Sequence, residues 1–187
     1  MIATASPRSR ILACALFTST LLGLLVGFIP ACGGGGGGDR RDCDGGKVCA
    51  CDDADCDITC GGDGAGCSLS CGPGQSCSFA CPGGGCVFDC SDSAGCITSC
   101  DGGGCSFKCG SGATCEESCG GGGCVMTCDG AASCTSDCPG NGCSLHCMST
   151  DVCEEIGCEI GCNLDCGGAG TCTSSCSQND GGCGVKP

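Results

Sequence analysis

Residues 86–109 read CVFDCSDSAGCITSCDGGGCSFKC, and the spacing of their cysteines decides how the chain folds. Three five-residue units of the form C-x3-C are separated by one connector of five residues, SDSAG, and one of four, DGGG. The same units continue on both sides, CSLSC and CSFAC before, CEESC, CVMTC, CTSDC and CSLHC after. Because the two connector lengths alternate, the true period is nineteen residues built of two unequal halves, which is the signature of a stacked repeat.

A five-residue unit walled by Gly and Pro is too short for a stable helix, so each unit reads as a short strand. Positions 1, 3 and 5 of a strand share one face, which turns both cysteines and the middle residue inward together. The middle residue tells the halves apart. In units beginning at Cys67, Cys86, Cys105, Cys124, Cys143 and Cys162 it is Leu69, Phe88, Phe107, Met126, Leu145 and Leu164. In the alternate units it is Phe79, Thr98, Glu117, Ser136, Glu155 and Ser174. The fold class expected is all-β, a small parallel β-solenoid of about 19 residues per turn with two short strands per turn, stapled by disulfides.

Composition agrees with that class. The 187 residues include 32 Cys and 40 Gly but only five Phe and no Trp or Tyr, a disulfide scaffold rather than a domain with an oily core. The large apolar side chains expected inside are Leu69, Phe79, Phe88, Phe107, Met126, Leu145, Ile160 and Leu164, too few to offset the conformational entropy of so long a chain without cross-links. The formal charge is -14, and between residues 48 and 185 the sole Lys or Arg is Lys108. Such a surface repels phosphates, so nucleic acid is not expected as a partner.

Residues 1–31 carry Arg8 and Arg10, then an apolar run over residues 11–29 interrupted by Gly23 and Gly27 and followed by Pro30. This reads as a cleaved export signal rather than a membrane span. Residues 29–32, Ile-Pro-Ala-Cys, resemble a bacterial lipobox, in which an aliphatic residue and two small ones precede a Cys that receives lipid; Pro30 stands where a small residue is usual. The resemblance implies that Cys32 is the lipidated N-terminus and that acyl chains anchor the protein to the membrane without spanning it. Residues 32–42 are then a lipidated Cys and a Gly-rich tether. With Gly33 rather than Asp after the Cys, the resemblance also implies the outer membrane of a Gram-negative cell envelope. Setting aside Cys14 and Cys32 leaves 30 of the 32 cysteines, an even number that suits an oxidising compartment.

Residues 43–66 hold Cys43, Cys49, Cys51, Cys56 and Cys60 out of register and read as an irregular N-terminal cap; residues 67–176 are the repeat and residues 177–187 a C-terminal tail. Asp53, Asp55 and Asp57 alternate as at the start of a calcium loop, yet Ile58 and Gly64 stand where such a loop needs Gly and Glu. No metal site and no cofactor is expected, and whether these three carboxylates bind a cation stays open.

The repeat resembles two solenoid classes. GGGCVFDC and GGGCSFKC are similar to units of the Gly-rich β-roll of calcium-binding secreted bacterial proteins, but the calcium-ligating Asp is missing from the corresponding turns, so the resemblance implies the coil and not the ion. TCTSSC, residues 171–176, is similar to the motif of beetle-type antifreeze solenoids, which carry disulfides across a narrow interior. Ice binding would need a rank of outward Thr, whereas the outward pairs here are Ile97/Ser99, Glu116/Ser118, Thr135/Asp137 and Thr173/Ser175.

Within one extended C-x3-C the cysteines lie ~13 Å apart, beyond the ~7 Å a disulfide spans, so bonds must cross the interior. One scheme joins Cys81 to Cys86, Cys100 to Cys105, Cys119 to Cys124 and Cys138 to Cys143 across the short turns, with Cys77 to Cys90, Cys96 to Cys109, Cys115 to Cys128 and Cys134 to Cys147 at the far end. Bridging the five-residue turns instead, for example Cys90 to Cys96, is equally reachable, and the two schemes stay open. After Cys153 the partner position falls on Gly157 with Cys158 one residue late, which reads as a bulge that resets by Cys162.

Glu117 and Glu155 are two turns apart, ~10 Å in a parallel stack, a spacing that suits an acid and base pair. A thin solenoid offers them no cleft, so the chain is not expected to be an enzyme, and His146, the one histidine, is expected on the surface. The function expected is a cell-envelope-anchored structural or interaction lipoprotein, a rigid, acidic, disulfide-laced rod that displays a face to an unidentified protein or surface partner. The alternative is an extracytoplasmic thiolate metal-binding protein, although only Cys49-Ala50-Cys51 has the C-x-C spacing of such chains. A disulfide-rich inhibitor-type binding module ranks below both, because its distinctive loop has no counterpart among these nearly interchangeable connectors.

Overall fold

Like residues stack on like. The computed structural model describes residues 40–52, 56–62, 66–176 and 184–187, and they hold sixteen strands: β1 (Arg40–Asp44), β2 (Val48–Cys51), β3 (Cys56–Gly61), β4 (Ser68–Cys71), β5 (Ser76–Ala80), β6 (Val87–Cys90), β7 (Gly95–Ser99), β8 (Ser106–Cys109), β9 (Thr114–Ser118), β10 (Val125–Asp129), β11 (Ser133–Asp137), β12 (Ser144–Met148), β13 (Val152–Ile156), β14 (Asn163–Asp165), β15 (Thr171–Ser174) and β16 (Gly184–Lys186). Odd-numbered strands form one parallel eight-stranded sheet and even-numbered strands the other. Each turn of the coil adds one rung to both, giving a parallel β-solenoid of about 7 turns. All strands belong to the unit Gly36–Pro187; the preceding unit, Met1–Gly35, with the expected signal and Cys32, lies outside the described residues.

Between β4 and β14 in one sheet and β5 and β15 in the other, each strand pairs with the residue nineteen positions on, as Val125 does with Ser144 and Ser133 with Val152. The alternation within a strand follows from the pleat: in β6, Phe88 and Cys90 are buried while Val87 and Asp89 are exposed. In the even sheet, Leu69, Phe88, Phe107, Met126, Leu145 and Leu164 form one continuous inward column. From the odd sheet Phe79 reaches across the interior, its ring stacked on Phe88 with centroids 6.0 Å apart. Ile58 joins this core at 1% exposure.

Three expectations change at the ends and at the bulge. Residues 43–66 are not irregular in their strands: Cys43 pairs with Cys60, Cys51 with Cys71 and Cys56 with Cys77. Only the turns vary, so the step between paired residues runs seventeen, twenty and twenty-one there. The tail contributes β16, paired with β14. Ile160, expected in the core, is 55% exposed. Cys158 and Cys162 close the bulged turn on its inner side, which leaves the residues between them on the outer corner. Asn141 fastens that corner to the rung before it, its Oδ1 accepting from the amides of Glu159 and Ile160 at 2.9 Å each.

At one position of each inner short turn there is no room for a side chain. Gly84, Gly103 and Gly122 occupy equivalent positions with φ of 77°, 76° and 74°, and a Cβ on Gly103 would lie 2.5 Å from the carbonyl oxygen of Gly122. Stacked corners this close explain why the connectors are glycine-rich.

Candidate functional site

The cysteines supply the densest chemistry in the molecule. Fourteen disulfides join described residues, with Cα atoms 5.8–6.6 Å apart, inside the span a bridge tolerates. One ladder lies on the short-turn side, where the chain passes from the odd to the even sheet: Cys60–Cys67, Cys81–Cys86, Cys100–Cys105, Cys119–Cys124, Cys138–Cys143 and Cys158–Cys162. The second lies on the opposite side, where the chain passes from the even to the odd sheet: Cys51–Cys56, Cys71–Cys77, Cys90–Cys96, Cys109–Cys115, Cys128–Cys134, Cys147–Cys153 and Cys166–Cys172.

The far-end scheme is thereby corrected. Cys77 does not bond Cys90, nor Cys96 Cys109, nor Cys115 Cys128, nor Cys134 Cys147; each instead bonds across its adjacent five-residue turn. The reason is the climb of the coil. Cys77 and Cys96 are paired neighbours in the odd sheet, one rung or about 4.8 Å apart, and the chain leaving Cys90 arrives beside Cys96. At the N-terminal end Cys49 takes the place of an apolar middle residue, aligned with Leu69, while Cys51 aligns with Cys71. Both therefore face inward, and Cys49 bonds Cys43. The C-x-C spacing is that of alternate residues on one strand.

Neighbouring rungs bring sulphurs of different bridges together. The Sγ atoms of Cys100, Cys119 and Cys124 lie within 4.8 Å of one another, as do those of Cys119, Cys138 and Cys143, and those of Cys138, Cys158 and Cys162. Cys60 with Cys81 and Cys86, and Cys109 with Cys128 and Cys134, form two more such groups. If reduced, each group could offer three thiolates to a soft metal.

A second column is polar and buried. Thr98, Glu117, Ser136, Glu155 and Ser174 are in register along the odd sheet. Glu117 and Glu155 are 3% and 1% exposed. Ser136 Oγ donates to Glu117 Oε2 at 3.5 Å and Ser174 Oγ to Glu155 Oε2 at 3.2 Å, while Oε1 of each carboxyl has no hydrogen-bond partner. Burial pushes the Glu117 carboxyl up to about 7, against the smaller opposing pull of the Ser136 hydroxyl, and raises Glu155 in the same direction. The two acids that sequence spacing singled out thus point between the sheets, separated by Ser136.

Outside, a shallow groove of about 420 Å³ runs over the odd sheet, floored by small residues such as Ser76, Ser78 and Gly95 and bounded by Asp57, Ile97 and Glu116. Ile97 is 61% exposed. A smaller depression of about 240 Å³ adjoins it at Ile97 and Glu116 and is also lined by Thr135, Asp137 and Ile156. His146 stands half-buried on the outer side of β12, in register between Thr127 and Asp165. Asp57 lies within β3 rather than in a loop, and Asp53 and Asp55 are outside the described residues. Asn141 and the groove were not singled out by sequence; only the Asn at a turn position otherwise held by Gly carried a readable signal. Compared with models of known families, with curated proteins and with solved structures, the chain matches none.

Proposed function

We propose that this protein is a structural or interaction component of the cell envelope, held to the membrane by lipid on Cys32 and presenting a stiff acidic solenoid that carries out no catalysis. The observation that supports this reading is the pair of disulfide ladders, which fasten successive turns of the coil from β2 to β15 around an apolar column one residue wide. Cross-linking at this density restrains the unfolded chain and suits a protein that must persist outside the reducing cytoplasm. Its presented face is the odd sheet, where the groove beside Ile97 is bounded by Asp57 and Glu116.

The test is alkylation of the purified native protein before and after reduction, with mass analysis of the N-terminal peptide. Native thiols absent, thiols abundant after reduction, and a diacylglyceryl adduct on Cys32 lost in Cys32→Ser support the proposal. An unmodified Cys32 removes the lipid anchor from it. The five groups of clustered sulphurs favour one second reading, a thiolate metal protein. Abundant native thiols together with bound zinc or copper would establish that reading in place of the first.

A further inference from the structure

We infer that the short-turn ladder is a thiol–disulfide relay, along which a dithiol introduced at one rung passes to the next by exchange between neighbouring bridges. This goes beyond a structural role and rests on the sulphurs being paired. Cys100, Cys119 and Cys138 lead to the Cys158–Cys162 bridge as an unbroken line of Sγ atoms, each within 4.8 Å of the next. Cys138 is a junction, close to Cys119 on one side and to both Cys158 and Cys162 on the other. These sulphurs sit 0–3% exposed, where a thiol introduced at one rung meets another disulfide before it meets solvent.

The leaving sulphur is also provided for. The Cys143 amide donates to Cys162 Sγ at 3.3 Å, and the amides of Cys67 and Cys86 donate to Cys86 Sγ and Cys105 Sγ at the same distance. An N–H directed at sulphur favours the thiolate and counters the effect of apolar burial. The accepting sulphurs, on Cys86, Cys105 and Cys162, all stand at the starts of even-sheet strands.

The step balances as follows. An external dithiol or phosphine reduces Cys138–Cys143 and is itself oxidised. Cys138 thiolate attacks Cys158 Sγ, the Cys158–Cys162 bond breaks, and its electron pair leaves on Cys162 Sγ, which takes the proton of the Cys143 thiol. Cys143 thiolate then attacks Cys138 Sγ and expels Cys158. The first bridge is restored, the dithiol now resides on Cys158 and Cys162, and no further electrons are consumed.

The test treats the oxidised full chain with one equivalent of phosphine, removes the reagent, waits for varied intervals, alkylates, and maps the label by mass spectrometry. Expected are a constant two labels per molecule, a spread of label with time from the bridge first cut to its short-turn neighbours, and capture of a Cys138–Cys158 mixed disulfide. In the double variant Cys138→Ser, Cys143→Ser, label starting at Cys158 and Cys162 no longer reaches Cys100–Cys124. Label that stays on the bridge first cut, or that moves equally in the double variant, overturns the relay. If the double variant does not fold, the time course on the native chain decides alone. Native thiols found before any phosphine is added would instead refute the laced solenoid itself, so the two failures are distinguishable.

Discussion

Glu117 carries a cost that depends on pH. Its carboxyl titrates near 7 in the fold because burial disfavours the anion, against 4.5 when free. Below about 4.5 both forms of the chain hold the proton and no penalty arises. As pH rises from there to about 7 the unfolded chain ionises first, so stability present in acid is lost by ~3 kcal/mol, with Glu155 adding in the same direction. Thermal unfolding without reductant should therefore fall in Tm from pH 4.5 to 7, and Glu117→Gln should flatten most of that slope. The glycines of one short turn make a second comparison. Gly104 has φ of 66° and open space around its missing Cβ, whereas Gly103 at 76° would press a Cβ into Gly122. Gly104→Ala should cost ~1–2 kcal/mol from backbone strain alone, and Gly103→Ala ~2–5 kcal/mol once overpacking is added, read from denaturant midpoints.

At the scale of strands and turns, the bulged corner tests how a coil absorbs an error of register. Asn141 adopts φ of 67° and gives its amide oxygen to two backbone N–H groups across the turn. Asn141→Gly keeps the backbone permissible but removes both acceptors, so the corner should lose ~1–3 kcal/mol, with the amides of Glu159 and Ile160 exchanging faster while that of Val125 in β10 is unchanged. The strands themselves were legible in the sequence because a period of two inside each unit put Cys, Phe88 or Leu145, and Cys on one face. The bulge was legible too, from Cys158 falling one place late. The far-end bridges were not: Cys90 reaches Cys77 and Cys96 equally well on spacing, and the climb of the coil that chooses between them exists only in three dimensions. The first coils were hidden for a related reason, since turns of unequal length displaced Cys49 and Cys51 from the repeat without displacing their strands. Ile160 was misplaced because hydrophobicity says nothing about which side of a disulfide-closed turn a residue takes.

At the scale of the whole solenoid, the strands from β4 to β14 and from β5 to β15 repeat in one register of nineteen residues. Removing residues 105–123 would join Gly104 to Cys124 and restore the DGGG-C junction in phase. The shortened protein should fold with the same circular dichroism per residue and two fewer bridges, Cys100 pairing with Cys124, as non-reducing peptide mapping would show; a scrambled bridge pattern would mean that the removed coil carries information the others lack. The buried acids would be halved by the same cut, since Glu117 leaves with it and Glu155 stays. A gene that encodes such a protein can therefore slip during replication by one whole unit and still yield a foldable product. If the shortened product folds as expected, what folding requires of this sequence is the cross-section of a coil and not the number of coils.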